Sequence, residues 1–132
     1  MKILFDTNVV LDVLLNRESY ALDGITLFTA VENKITQGFL CETTIYYLCT
    51  KAIGRKPARQ AISALLALFS IADVNQKTLV AAIESEFSDF EDAVLYQAGV
   101  QVGVDGFVTR NINDFTLAER SIYTPSELCG II

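Results

Sequence analysis

The chain opens with an apolar run, Ile3-Leu4-Phe5, that meets an acid, a hydroxyl and an amide at Asp6-Thr7-Asn8. A short unbroken apolar run predicts a strand buried on both faces. Asn8 to Leu15 carries Val9, Val10, Leu11, Val13, Leu14 and Leu15, which predicts a short buried helix, broken at Asn16-Arg17-Glu18-Ser19. From Tyr20 the apolar positions Leu22, Ile25, Leu27, Phe28 and Val31 keep a helical period to about Asn33, with Gly24 working against it. Ile35 to Leu40 predicts a second strand. Glu42-Thr43-Thr44 opens a helix through Ile45, Tyr46, Leu48, Cys49, Ala52 and Ile53, closed by Gly54 at its C-terminus. Pro57 fits the first turn of the next helix. Ala61, Ile62, Leu65, Leu66, Leu68 and Phe69 give that helix an almost wholly apolar surface, so it is expected to be buried in the core or between subunits.

Ser70 to Val74 predicts a third strand, and Asn75 caps a helix through Val80, Ala81, Ala82 and Ile83. Asp89 caps another, with Glu91 and Asp92 in its first turn and Ala93, Val94, Leu95, Ala98 and Val100 carrying it onward. Val104 to Thr109 is the fourth strand and Ile122-Tyr123 a short last one; Ser126 and Glu127 begin a terminal helix after Pro125. Strands alternating with helices predict an α/β fold, a parallel sheet with helices on both faces. Its βα loops would gather Asp6, Glu42, Asp92 and Asn111/Asp114 at one sheet end, where open α/β sheets bind ligands.

Composition narrows this. A chain of 132 residues, 52% hydrophobic, is expected to form one domain over 1–132 with a real core. It starts at Met1 without a charged-then-apolar leader, so no signal peptide is expected, and its most apolar window, Ala61 to Ala72, is too short to span a bilayer. No membrane partner is expected. Cys41, Cys49 and Cys129 are an odd set without a C-x-x-C pair, which predicts buried free thiols in a reducing cytoplasm. There is no histidine, which excludes a Ser-His-Asp triad and any His-ligated metal. No Walker P-loop or G-x-G-x-x-G is present. A net charge of −6 argues against sequence-blind binding along a DNA backbone, although a bound divalent ion reverses the local sign. Four of the ten basic residues, Lys51, Arg55, Lys56 and Arg59, fall close together; they read as a solvated helix corner or as a phosphate or partner contact.

What remains is carboxylate chemistry. Carboxylates sharing one pocket repel and raise each other's pKa unless a cation neutralises them. Oxygen-only ligands select Mg²⁺ or Mn²⁺ over zinc. Such an ion activates water and steadies a leaving oxygen without a side-chain base.

Three stretches carry a family resemblance: Ile3 to Asp12, Phe87-Ser88-Asp89-Phe90-Glu91-Asp92-Ala93, and Val108 to Phe115. In this order and spacing the chain resembles PIN-domain ribonucleases, in particular the toxins of prokaryotic toxin–antitoxin pairs. The resemblance covers nearly the whole chain. It implies a five-stranded parallel sheet, Mg²⁺ or Mn²⁺, endoribonuclease cleavage of RNA leaving 3′-hydroxyl and 5′-phosphate ends, a homodimer and a small antitoxin partner. It implies that Asp6 and Asp92 are metal ligands. Asn111 or Asp114 supplies a further polar ligand, and the resemblance does not choose between them. Thr7, Asn8 and Thr109 match positions that steady Asp6; Thr7 and Asn8 are expected to take the capping role and free Asp6 for the metal.

The family places an acid in the helix after the second strand, where this chain has Thr44; Glu42 lies two residues earlier. Glu42 either reaches the pocket from the loop or only favours the helix dipole. Asp89 is expected to cap and Asp12 to sit solvated on its helix surface. Two other strand-then-Asp families fit worse. Haloacid dehalogenase phosphatases need a second Asp where Asn8 stands, and response-regulator receivers need a lysine after a late strand, whereas the last lysine is Lys77. The serious alternative is a degenerate PIN scaffold that binds RNA or protein without cutting.

Overall fold

A computed structural model describes residues 1–52 and 55–132. Five parallel strands, β1 (Lys2–Phe5), β2 (Gln37–Cys41), β3 (Ser70–Ala72), β4 (Gly106–Val108) and β5 (Ser121–Tyr123), form one sheet in the order β3-β2-β1-β4-β5. Seven α-helices are present among the described residues: α1 (Thr7–Leu14), α2 (Ala21–Glu32), α3 (Glu42–Tyr47), α4 (Arg55–Leu68), α5 (Gln76–Glu84), α6 (Phe90–Gln101) and α7 (Pro125–Ile131). β1 lies in the middle, Leu4 registering with Phe39 on one side and Phe107 on the other. The chain steps outward from β1 to β2 and β3, then returns to place β4 on the other side of β1. That reversal opens a crevice at the carboxyl ends of β1 and β4.

Strand residues alternate between two cores, as a period of two requires. Ile3, Phe5, Leu40 and Val108 face a core shared with Val10, Leu27, Leu65 and Leu128 from α1, α2, α4 and α7. Leu4, Phe39, Cys41 and Phe107 face the opposite core, with Leu95, Tyr96 and Ala98 of α6. Both cores are aromatic. Phe5, Phe28 and Phe69 meet edge-to-face at 5.1–5.9 Å, and Phe107 stacks on Tyr96 at 5.0 Å.

Several sequence expectations need correction. Gly24 does not weaken α2: a Cβ there would lie 2.5 Å from Cγ2 of Val13, so its bareness lets α1 and α2 approach. The helix begun at Glu42 does not run evenly to its end; α3 passes into a π-helical stretch at Leu48–Ala52, and Ile53 and the expected Gly54 cap lie outside the described residues. Of the basic cluster, Lys56 and Arg59 are exposed, while the side chains of Lys51 and Arg55 lie outside the description. For α4, expected to be buried in the core or between subunits, the core takes Ala58 and Leu65 while Leu66 is 51% exposed, so core burial alone does not cover the helix. Of the three thiols only Cys41 is buried, and Cys49 points outward.

One packing contact gives a stability prediction. A Cβ on Gly99 of α6 would fall 2.5 and 2.6 Å from ring atoms of Phe107, which is held by its aromatic neighbours. Gly99→Ala gains up to about 1 kcal/mol of helix propensity. It loses about 1–3 kcal/mol to overpacking. The clash should win, and urea unfolding should show a lower midpoint with an unchanged slope.

Candidate active site

The crevice is built from the first residues after β1 and β4. Asp6 is extended and is itself the N-cap of α1, its Oδ1 accepting from the Thr7 backbone N–H at 2.8 Å. The expected division of labour therefore fails: Thr7 and Asn8 do not take the cap from Asp6. Capping occupies one carboxylate oxygen. Oδ2 accepts from the Thr109 hydroxyl at 2.7 Å and from Asn8 Nδ2 at 3.3 Å. Thr109 Oγ1 in turn accepts from the Asn111 N–H at 3.0 Å, and Asn8 Oδ1 accepts from the Arg110 N–H at 3.3 Å. The segments after β1 and β4 are thus laced together around Asp6, with Thr7, Asn8 and Thr109 all touching this network.

Asp92 enters from α6. Asp89 caps that helix through Oδ1, which accepts from the Asp92 N–H at 2.9 Å. Asp92 lies in the first turn, half-buried. Burial, then the charges of Asp89, Asp6, Asp114 and Glu91, pushes its carboxyl up to about 7. Burial also raises Asp6, against the hydrogen bonds from Thr109 and Thr7; Asp114 adds to the rise and Arg110 opposes it. Asp6, Asp92 and Asp114 therefore share one electrostatic neighbourhood. Asn111 lines the same cleft, and Asp114 is exposed in a 3₁₀ turn at Ile112–Phe115.

The cleft has a volume of about 450 Å³; its walls include Asp6, Thr7, Asn8, Asp92 and Asn111, together with Tyr46 and Tyr47. A larger hollow, about 640 Å³, runs beside α5 between Asn75 and Glu84, but it is walled by that one helix and gathers no set of acids.

The two residues in question after β2 are now placed. Thr44 is fully buried and its hydroxyl bonds that of Thr7 at 2.8 Å. Glu42 turns away from the cleft: its Oε1 accepts from the Val74 N–H at 3.0 Å and its Oε2 from the Tyr46 hydroxyl. Those two bonds hold the Glu42 carboxyl below its usual range.

The donors that do converge are oxygens, two of them carboxylates raised by burial and by neighbouring acids. That set fits a hard divalent cation, which would remove the repulsion. The fit is to an open site: among the described residues no three acidic or thiol side chains close into a ready-made cage.

Asp12 is the clearest surprise. It is not solvated but 1% exposed. Arg110 grips it with two bonds, Nε at 2.7 Å and Nη2 at 3.2 Å, and Arg17 Nη1 reaches it at 3.3 Å. The Arg110 guanidinium also sits 4.1 Å from the centre of the Tyr20 ring. A lone acid within the apolar run Val9 to Leu15 was the available signal.

The PIN domain profile matches residues 2–113. The chain belongs to the PIN domain family. Solved structures share the fold at low sequence identity. A toxin–antitoxin complex from Klebsiella pneumoniae superposes with a TM-score of 0.71 at 21% identity, over 93% of this chain and 97% of that one. VapBC2 from Rickettsia felis, bound to a DNA fragment from its promoter, gives 0.70 at 13% identity, covering 94% and 98%. VapC20 from Mycobacterium tuberculosis, a sarcin-ricin-loop-cleaving toxin, gives 0.60 at 12% identity, covering 80% and 86%. No curated protein matches the sequence. As a PIN domain the chain carries its cleft where the strand order reverses, and the five-stranded parallel sheet with helices on both faces is as expected.

Proposed function

We propose that this PIN domain is a Mg²⁺- or Mn²⁺-dependent endoribonuclease, the toxin of a toxin–antitoxin pair. The observation that carries the reading is the convergence of Asp6, Asp92 and Asn111 on one cleft whose lining, among the described residues, holds no lysine, arginine or thiol, with the charge of Asp114 felt by both carboxylates. Asp6 and Asp92 would hold the cation, with Asn111 and Asp114 the further donors. When bound, the ion supplies an activated water and neutralises charge on the leaving oxygen. The chain's own residues do the rest. Thr109 and Asn8 fix Asp6 Oδ2, and the Thr7 N–H fixes Oδ1, so the carboxylate presents one orientation. Asp89 seats the first turn of α6 and with it Asp92.

The relatives described as toxin–antitoxin complexes support a small antitoxin partner, and the RNA-cleaving relative supports an RNA substrate. A homodimer and a cytoplasmic location complete the proposal; among the described residues no helix is long and apolar enough to cross a membrane. One observation favours a second reading, a PIN scaffold that binds without cutting: Thr44, where the family has an acid, is spent on Thr7. The site then holds one charge fewer, and its cation is bound more weakly.

The test is to incubate the protein with structured and single-stranded RNA, with Mn²⁺ and with EDTA. Cleavage should occur with the cation and stop without it. Cleavage that survives EDTA would overturn the metal reading, and binding without cleavage would select the scaffold. A small gene overlapping or just upstream is expected for the antitoxin.

A further inference from the structure

The cleft has a second wall that the carboxylates do not explain. Tyr46 and Tyr47, on α3, line it together with Asp6 and Asp92, and are 58% and 41% exposed. Their rings are available, but the Tyr46 hydroxyl is not. It donates to Glu42, whose other oxygen accepts from the Val74 backbone. This chain of bonds ties the aromatic wall to the turn after β3. Glu42, the acid displaced from the site, thus acts as a strut behind an aromatic ring.

Charge sharpens the point. Among the described residues lining the cleft there is no lysine or arginine, while Asp6, Glu91 and Asp92 are all acids. Arg110 is next in sequence to Asn111, but its guanidinium is consumed by Asp12 and Tyr20. Among the described residues that line the cleft, a polyanion therefore finds no cationic grip beyond a bound ion; the exposed Lys56 and Arg59 are not part of that lining. Within the lining the remaining source of affinity is uncharged. Aromatic faces bind nucleobases by stacking, without regard to sequence, and only when the base is free of its own stack.

We infer that Tyr46 and Tyr47 form a nucleobase subsite, which takes an unpaired base of the RNA strand whose phosphate lies at the Asp6–Asp92 pocket. The inference deepens the nuclease reading and rests on it. It gives the strand a fixed place relative to the cation site. Thr43 and Thr50 also line the cleft; their hydroxyl hydrogens are donated to Cys41 Sγ and the Tyr46 carbonyl, so each offers the base edge or ribose an acceptor.

The experiment uses the full chain and a short RNA carrying 2-aminopurine, unpaired in one version and base-paired in a hairpin stem in another. Stopped-flow mixing with Mn²⁺ reads stacking as quenching before any cut, and the same mixtures are then followed for cleavage. Quenching is expected for the unpaired probe only. Tyr46→Leu, which keeps bulk but has no π-face, should abolish the quenching and weaken binding about tenfold, the scale of one lost base–aromatic stack. The loss should appear in KM with kcat little changed. Tyr46→Phe should keep the quenching. If the ring served only to carry the hydroxyl to Glu42, Tyr46→Phe would lower the melting temperature as Tyr46→Leu does, and neither would move KM; that overturns the inference. Equal quenching of paired and unpaired probes overturns it as well. The two readings fail separately: cleavage without quenching removes the subsite and keeps the nuclease, whereas Tyr46-dependent quenching without cleavage keeps the subsite on a non-cutting scaffold.

Discussion

Asp92→Asn should abolish metal-dependent RNA cleavage and at the same time stabilise the metal-free protein. The two effects have one cause. Asp92 is half-buried among Asp89, Asp6, Asp114 and Glu91, and its carboxyl is pushed up to about 7 from a usual value near 3.8. A carboxyl raised on folding favours the folded state while it is protonated. Below the unfolded value that contribution is complete; it is lost as pH rises through the folded value. The metal-free protein should therefore lose stability between about pH 4 and 7, and Asp92→Asn should remove that part of the loss. A cation reverses the sign by pairing with the charged form. Mn²⁺ should raise the melting temperature of the natural protein in proportion to the logarithm of its concentration and barely move Asp92→Asn. Activity should fall by more than the roughly 10–100-fold expected from losing only a partner of a ligand. Asp6→Asn should behave similarly in activity. Its stability gain should be smaller, because Asp6 Oδ1 and Oδ2 also satisfy Thr7, Thr109 and Asn8. Equal Mn²⁺ stabilisation of the natural protein and Asp92→Asn, measured by thermal melts in EDTA and in Mn²⁺, would remove Asp92 from the cation site.

The large features were legible because they rest on local patterns. Ile3-Leu4-Phe5 reads as a buried strand, and its residues do divide between two cores. Asn75 and Asp89 cap where their positions before apolar runs place them. What escaped depends on partners far away in sequence. Asp12 reads as solvated because its counter-ion, Arg110, lies 98 residues later on another loop. Glu42 has two roles that the sequence leaves open, and only the closeness of the turn after β3 to the start of α3 decides between them. Gly24 counts against a helix by propensity; its value lies in the approach of Val13 from α1. Each miss follows from tertiary context overriding a local preference. Tyr46 is legible only as an apolar position of its helix; that it and Tyr47 line the cleft depends on how α3 packs after β2.

Breaking the Asp12–Arg110 pair should be the most damaging change outside the cleft. Asp12→Ala leaves Arg110 without its two-pronged partner and opens space on a helix otherwise packed into the core. Loss of one member of a buried pair costs about 3–5 kcal/mol. Arg110 retains some exposure, with 25% of its side chain open, so the lower end applies. About 3 kcal/mol corresponds to a fall on the order of 10 °C in melting temperature for a chain of this size. The damage should also reach the site. Arg110 is followed directly by Asn111, and its N–H bonds Asn8, so freeing the side chain loosens the loop that carries Asn111 and Asp114. Replacing both partners with apolar residues separates the two effects. Asp12→Leu with Arg110→Met removes the stranded charge, and such swaps are often neutral or stabilising. The double variant should recover most of the lost melting temperature. Its cleavage rate and Mn²⁺ affinity should stay reduced, because the tether on the Asn111 loop is still gone. Full recovery of both would mean that the pair serves packing alone. A double variant as unstable as Asp12→Ala would mean that the ion pair itself, rather than relief of an unpaired charge, holds α1 to the loop after β4.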